Sequence, residues 1–92
     1  MKTSFDYDGT LSTDKGKELA RNTKGDIFII SARQSKEGII STAKELNIPL
    51  NRVYATGSNT AKIEKIYSLG IDLHYDNNSD VINKLGKIGK LI

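Results

Sequence analysis

Asp6 and Asp8 stand two residues apart in the run Asp6-Tyr7-Asp8-Gly9-Thr10, where a short apolar stretch gives way to glycine. Two carboxylates leaving a strand at this spacing can point around one small volume. Like charges ~4 Å apart repel by a few kcal/mol at an effective dielectric near 20, so one must carry a proton or both must share a cation. Taken alone, the same residues also make an ordinary Asp/Gly turn.

Three more groups recur at comparable places. Ser31 closes the apolar run Ile27-Phe28-Ile29-Ile30, where a hydroxyl needs a partner. Lys62 falls in the first turns of a helix capped near Ser58, close to backbone donors suited to phosphate. Asp76 and Asp80 bracket Asn77-Asn78-Ser79 after another apolar stretch. Singly, these read as a strand terminator, a surface lysine, and turn and cap residues. Their chain order, each at a strand end or helix start, argues for one site.

The elements that must position them alternate along the chain. Residues 2–6, 26–30, 53–55 and 71–75 read as strands, and 88–92 as a last edge strand. The run 26–30 is almost continuously apolar, as a strand covered on both faces should be. Ser35 can cap a helix with Ile39, Ile40, Ala43 and Leu46 on one face, ending at Asn47 before Ile48-Pro49. Ser58 or Asn59 can cap the next, with Ile63, Ile66 and Leu69 inward and Gly70 as its stop. Asn78 or Ser79 can cap a short helix carrying Val81, Ile82 and Leu85, stopped by Gly86. Residues 13–22 make the weakest helix, since Leu19 and Ala20 are their only apolar members.

This pattern predicts an α/β fold: a Rossmann-like three-layer sandwich on a mostly parallel sheet of four or five strands, in the order 5-4-1-2-3, without a cap domain. In such sheets ligands sit outside the carboxyl ends of the strands. The polar residues above follow the apolar runs and so are expected at that edge.

Ninety-two residues suffice for a single domain spanning 1–92. Charged residues at 27% fit a folded globular chain and not a disordered one. There is no cysteine, which excludes disulfides and thiolate metal sites. No apolar run approaches the ~20 residues that span a bilayer, and no signal peptide is evident, so a cytoplasmic protein without membrane partners is expected. The net charge of +3 reads as a lysine-rich surface; Lys84, Lys87 and Lys90 are its candidates for attracting polyanions.

Asp6-Tyr7-Asp8-Gly9-Thr10, Ile27-Phe28-Ile29-Ile30-Ser31-Ala32-Arg33, the Lys62 helix and Tyr75-Asp76-Asn77-Asn78-Ser79-Asp80 together resemble the haloacid-dehalogenase-like superfamily of phosphohydrolases. The four elements occur in the family's order and span almost the whole chain. The resemblance implies a Mg²⁺-dependent phosphomonoester hydrolase. Asp6 would be the nucleophile, forming an aspartyl-phosphate, and Asp8 the general acid and then base. Ser31 would hydrogen-bond a phosphoryl oxygen, and Lys62 would neutralise charge on it and on Asp6. Asp6, the Asp8 backbone carbonyl and Asp76 would bind Mg²⁺, with Asp80 completing the acidic set. Gly9, Thr10, Ala32 and Arg33 would surround the substrate, Thr10 also tying down the loop.

Elementary chemistry asks for the same partners. A phosphate dianion approaches a carboxylate only if cations offset the repulsion. Hard oxygen ligands suit Mg²⁺ better than zinc, and the chain has one histidine. Asp8 must begin protonated while Asp6 stays ionised, so their surroundings must differ. Asn77 follows Asp76 where many family members carry a second acid, which leaves open whether Asp80 or Asn77 supports the metal. Lys65, one turn from Lys62, is the alternative lysine. His74 is expected as a packed strand residue facing opposite to Leu73 and Tyr75.

Ser31-Ala32-Arg33 is similar to the Ser-Gly-Arg of polynucleotide 3′-phosphatases and some sugar phosphatases. Arg33 could then contact a second phosphate or a substrate oxyanion. A nucleic-acid 3′-phosphate end or a nucleotide is the expected substrate. The alternatives are a sugar or other small-metabolite phosphatase completed by a homo-oligomer, and a catalytically degenerate module that binds phosphate and Mg²⁺. A response-regulator receiver uses similar residues, but its acceptor Asp falls in mid-chain.

Overall fold

A computed structural model describes residues 1–92. Five strands, β1 (Lys2–Phe5), β2 (Asp26–Ser31), β3 (Val53–Ala55), β4 (Leu73–Asp76) and β5 (Gly89–Leu91), form one sheet. Its order is β3-β2-β1-β4-β5 and every pairing is parallel. Four helices connect them: α1 (Asp14–Arg21), α2 (Ile39–Glu45), α3 (Asn59–Ser68) and α4 (Ser79–Leu85). The architecture is the α/β sandwich that the alternation of runs implies.

Register explains the two cores. Phe5 lies opposite Ile29 and Tyr75, and Ile29 opposite Val53. Phe5, Ile29 and Val53 therefore face one side, where they pack with Leu11, Ala20, Ile39 and Ala43 under α1 and α2. Phe28 and Ile30, one residue out of phase, face the other side and meet Ile66, Val81 and Leu85 of α3 and α4. Each such buried side chain contributes roughly 1.5–3 kcal/mol of burial. Tyr75 stacks on Phe5 at 5.0 Å between centroids. No helix is long and apolar enough to cross a membrane.

Two elements differ from expectation. Residues 35–38 are not helical: α2 starts at Ile39, because Gly38 adopts a left-handed φ of 80° and interrupts any helix begun at Ser35. The segment with the weakest pattern, by contrast, forms a sound helix. Thr13 caps α1 by accepting the Gly16 N–H at 3.1 Å, and Lys17 and Arg21 both reach Glu45 across the gap to α2. Local capping and cross-helix pairing replace the apolar stripe that α1 lacks. Gly16 is needed for packing: a Cβ there would lie 1.9 Å from the Thr10 carbonyl oxygen.

Candidate active site

Strand alternation brings Ser4, Asp6, His74 and Asp76 to the α3/α4 side, since each is out of phase with Phe5 and Tyr75. Asp6 follows β1 directly, and its N–H donates to the Tyr75 carbonyl at 2.9 Å. Beyond it, residues 7–11 make one wide turn: the Leu11 N–H reaches the Asp6 carbonyl at 3.2 Å and the Ser12 N–H reaches the Tyr7 carbonyl at 2.9 Å. Gly9 stands in this turn at φ 75°, a conformation that favours glycine, with the Asn77 side chain against it.

From α3, Lys62 extends its stem over the sheet and places Nζ 2.9 Å from Asp6 Oδ1 and 2.9 Å from Asp76 Oδ2. Ser58 holds the start of that helix, its Oγ accepting the Ala61 N–H at 3.0 Å. Lys62 is 2% exposed, Asp6 5% and Asp76 not at all. Asp76 is further bound on Oδ2 by His74 Nε2 at 2.9 Å and on Oδ1 by the Asn78 N–H at 3.0 Å. His74 Nδ1 in turn lies 2.6 Å from Ser4 Oγ. A buried chain thus runs Ser4–His74–Asp76–Lys62–Asp6.

The two carboxylates respond in opposite senses. Burial pushes the Asp6 carboxyl above its ordinary range, with the neighbouring Asp76 charge adding and Lys62 opposing. Burial acts on Asp76 in the same direction, but hydrogen bonds from His74 and Lys62 outweigh it and hold Asp76 below that range. Asp76 is the settled anion of the site and Asp6 the destabilised one.

These groups floor an open cleft of about 510 Å³ lined almost wholly by polar residues. Asp6, Lys62 and Asp76 are its buried members, and Asp8, Ala32, Asn59, Asn77, Asn78 and Ser79 complete the lining. Asp8 turns its carboxylate toward Arg33, which holds it through two hydrogen bonds. Ser31 is buried, and its Oγ accepts the Arg33 N–H at 3.1 Å.

Several expected residues take other places. Thr10 is buried beneath the turn and does not line the cleft; its carbonyl accepts from Thr13 N–H and Oγ1, and its hydroxyl has no partner. From there its carbonyl ties the turn to the start of α1. Asp80 is exposed in the first turn of α4, outside the cleft, because Asn78 caps that helix by accepting the Asp80 N–H at 2.9 Å. Lys65 lies in a separate groove with its Nζ 5.0 Å from the Tyr54 ring centroid. Of the two lysines, Lys62 is the one beside Asp6.

No three acidic or histidine side chains converge closely enough to hold a metal by themselves. Asp6 Oδ2 and the Asp8 carbonyl both lie beside the Asn77 amide. Turned with its NH₂ toward them, the Asn77 amide donates to the Asp8 carbonyl at 3.0 Å and to Asp6 Oδ2 at 3.2 Å. Turned the other way, it presents a third oxygen to the same spot. Carboxylate, carbonyl and amide oxygens suit a hard cation that keeps several waters, so the donor set fits Mg²⁺. Asn77 lies at this spot, and Asp80 does not line the cleft. The Asp8 carboxylate is held by Arg33, so of Asp8 only the backbone oxygen faces Asn77.

His74 carries more of the site than its sequence setting suggested. The signal was available: it lies two residues before Asp76 in a strand, hence on the same face. Comparison with protein-family models, curated proteins and solved structures finds no match for this chain.

Proposed function

We propose that this chain is a Mg²⁺-dependent phosphomonoester hydrolase of the haloacid-dehalogenase-like kind, with Asp6 as nucleophile and Asp8 as general acid and base. The observation that carries this reading is the buried Lys62, bridging Asp6 and Asp76 at the carboxyl edge of a parallel sheet, beneath an open polar cleft. A structural ion pair has no need to face a cleft, and burying two carboxylates on one ammonium is costly unless the arrangement is used.

Lys62 holds Asp6 Oδ1, and Oδ2 lies against the Asn77 amide, so the carboxylate is fixed in orientation before it attacks phosphorus. Lys62 offsets charge on Asp6 and on the incoming phosphoryl group. His74 and the Asn78 N–H fix Asp76, which fixes Lys62. Asp6 Oδ2, the Asp8 carbonyl and Asn77 would hold Mg²⁺, which when bound supplies charge neutralisation for the phosphate and keeps Asp6 ionised. Asp8, on the exposed wall, exchanges protons with the leaving alcohol and then with water.

The open cleft, and the Arg33 guanidinium paired with Asp8 beside it, favour a phosphate on a larger anionic molecule, such as a nucleotide or a nucleic-acid 3′ end. The test is phosphate release from p-nitrophenyl phosphate, with Mg²⁺ and with a chelator, beside Asp6→Asn and Asp8→Asn. Mg²⁺-dependent turnover that Asp6→Asn abolishes is the expected result. Turnover unaffected by Asp6→Asn, or none at all from the folded protein, refutes the reading.

A further inference from the structure

Ser4 stands within β1 on the side that α3 and α4 cover, opposite Phe28 in β2 and His74 in β4. That layer is built on Phe28, Ile30, Ile66, Val81 and Leu85. Ser4 and His74 are wholly enclosed, and neither lines the cleft. A hydroxyl and an imidazole buried together are costly unless their polar atoms are paired. An apolar pair of the same shape would fill the space as well. Packing alone does not call for them.

The directions of the hydrogen bonds do. The Asp76 carboxylate only accepts, so His74 Nε2 carries the hydrogen in its 2.9 Å contact with Oδ2. The Ser4 hydroxyl makes one hydrogen bond, 2.6 Å to His74 Nδ1, and a buried O–H without an acceptor is unfavourable. Ser4 therefore donates to Nδ1, which holds the ring in the tautomer that donates to Asp76. Asp76 is pinned at three points: Oδ2 accepts from His74 and Lys62, and Oδ1 from the Asn78 N–H. So fixed, it takes one hydrogen of the Lys62 ammonium, while Asp6 Oδ1 takes another. The third ammonium donor is left for an anion in the cleft that Lys62 lines.

We propose that Ser4 is a positioning residue: through His74 and Asp76 it sets the rotation of the Lys62 ammonium, so that the remaining N–H meets the phosphoryl group over Asp6. This rests on Asp6 and Lys62 acting on a phosphoryl group as proposed above. The relay passes no proton and touches no substrate; it fixes directions. Without the Ser4 hydroxyl, Nδ1 loses its donor and the ring is no longer held in one tautomer. Asp76 then loses a fixed partner, and Lys62 turns among several orientations. Partners that stand behind a working group in this manner orient it and set its activity.

The experiment reads the relay both without and with turnover. Nitrogen NMR of the wild type at pH 7 is expected to show His74 with hydrogen on Nε2 and a bare Nδ1. It should also show a resolved Lys62 ammonium signal, its rotation slowed by the two carboxylates. Ser4→Ala is expected to move both His74 nitrogens and to broaden the Lys62 signal. Ser4→Cys, a weaker donor of nearly the same shape, lies between. With p-nitrophenyl phosphate and Mg²⁺, Ser4→Ala is expected to lower kcat by about 10–100-fold with KM unchanged, because it removes aim and not binding. Hydrogen on Nδ1 in the wild type, no resolved Lys62 signal there, or a Ser4→Ala variant that keeps the wild-type kcat and Lys62 signal overturns the proposal. A loss confined to the thermal midpoint makes Ser4 a packing residue and overturns it too. A wild type that is folded but inactive defeats the hydrolase reading, while the Lys62 signal and its response to Ser4→Ala still decide the relay.

Discussion

Replacing Lys62 with methionine keeps the length of the side chain and removes the charge between Asp6 and Asp76. Both carboxylates contact the same Nζ at 2.9 Å and all three residues are buried, so the variant strips both anions of their shared cation and leaves Asp76 only its His74 and Asn78 hydrogen bonds. Breaking a buried pair in this way costs about 3–5 kcal/mol. A domain of this length has a total stability of roughly 5–14 kcal/mol. The variant is expected to fold with its thermal midpoint lowered by about 12–40 °C. Urea unfolding at pH 7 measures the loss directly, with the slope unchanged. Without Lys62, burial and mutual repulsion raise the carboxyl pKa values of the folded state above their unfolded ones. The folded state then binds more protons, so stability falls as pH rises through that window and the deficit shrinks as pH is lowered toward it. Adding Asp6→Asn to Lys62→Met removes one anion and restores part of the loss. A deficit below about 1 kcal/mol at pH 7, or one equal at pH 7 and pH 5, refutes the claim that Lys62 compensates buried charge.

Asp6→Asn and Asp76→Asn are expected to move stability in opposite directions at pH 7. Asp6, with its carboxyl raised by burial, opposes folding above its unfolded value, so its amide raises the urea midpoint; Asp76, held low by His74 and Lys62, contributes stability that is present above its unfolded value and lost on acidification, so its amide lowers the midpoint. His74→Leu strands Ser4 and Asp76 and should cost about 1–3 kcal/mol more than His74→Gln, which keeps a donor, and under the proposed function kcat falls in the same order. Gly16→Ala improves helix propensity yet should destabilise by about 1–3 kcal/mol, because its Cβ meets the Thr10 carbonyl; a rise in thermal midpoint would show that α1 and the Tyr7–Leu11 turn shift apart freely.

The sequence by itself determined the frame. Apolar runs of strand length alternating with capped, periodic segments dictate parallel strands with helices on both sides, and strand ends dictate where Asp6, Ser31 and Asp76 emerge. Those are local properties, set by the two-residue alternation of strands and by caps such as Ser58 and Asn78. Glycine conformation was legible less well: Gly38 ends the segment after Ser35 although its neighbours permit a helix. Only the tertiary structure decided the pairings. That His74 meets Ser4, 70 residues away, depends on β4 lying beside β1 in register. That Lys62 and not Lys65 reaches Asp6 depends on how α3 is rotated on the sheet. Asp80 falls outside the cleft because the cap at Asn78 sets where α4 begins. Asp8 is turned to Arg33, 25 residues on, because β2 ends next to β1. Residue types fixed which chemistry the chain can offer, and packing chose which carboxylate is buried on a cation, which is held at the surface, and which is left outside.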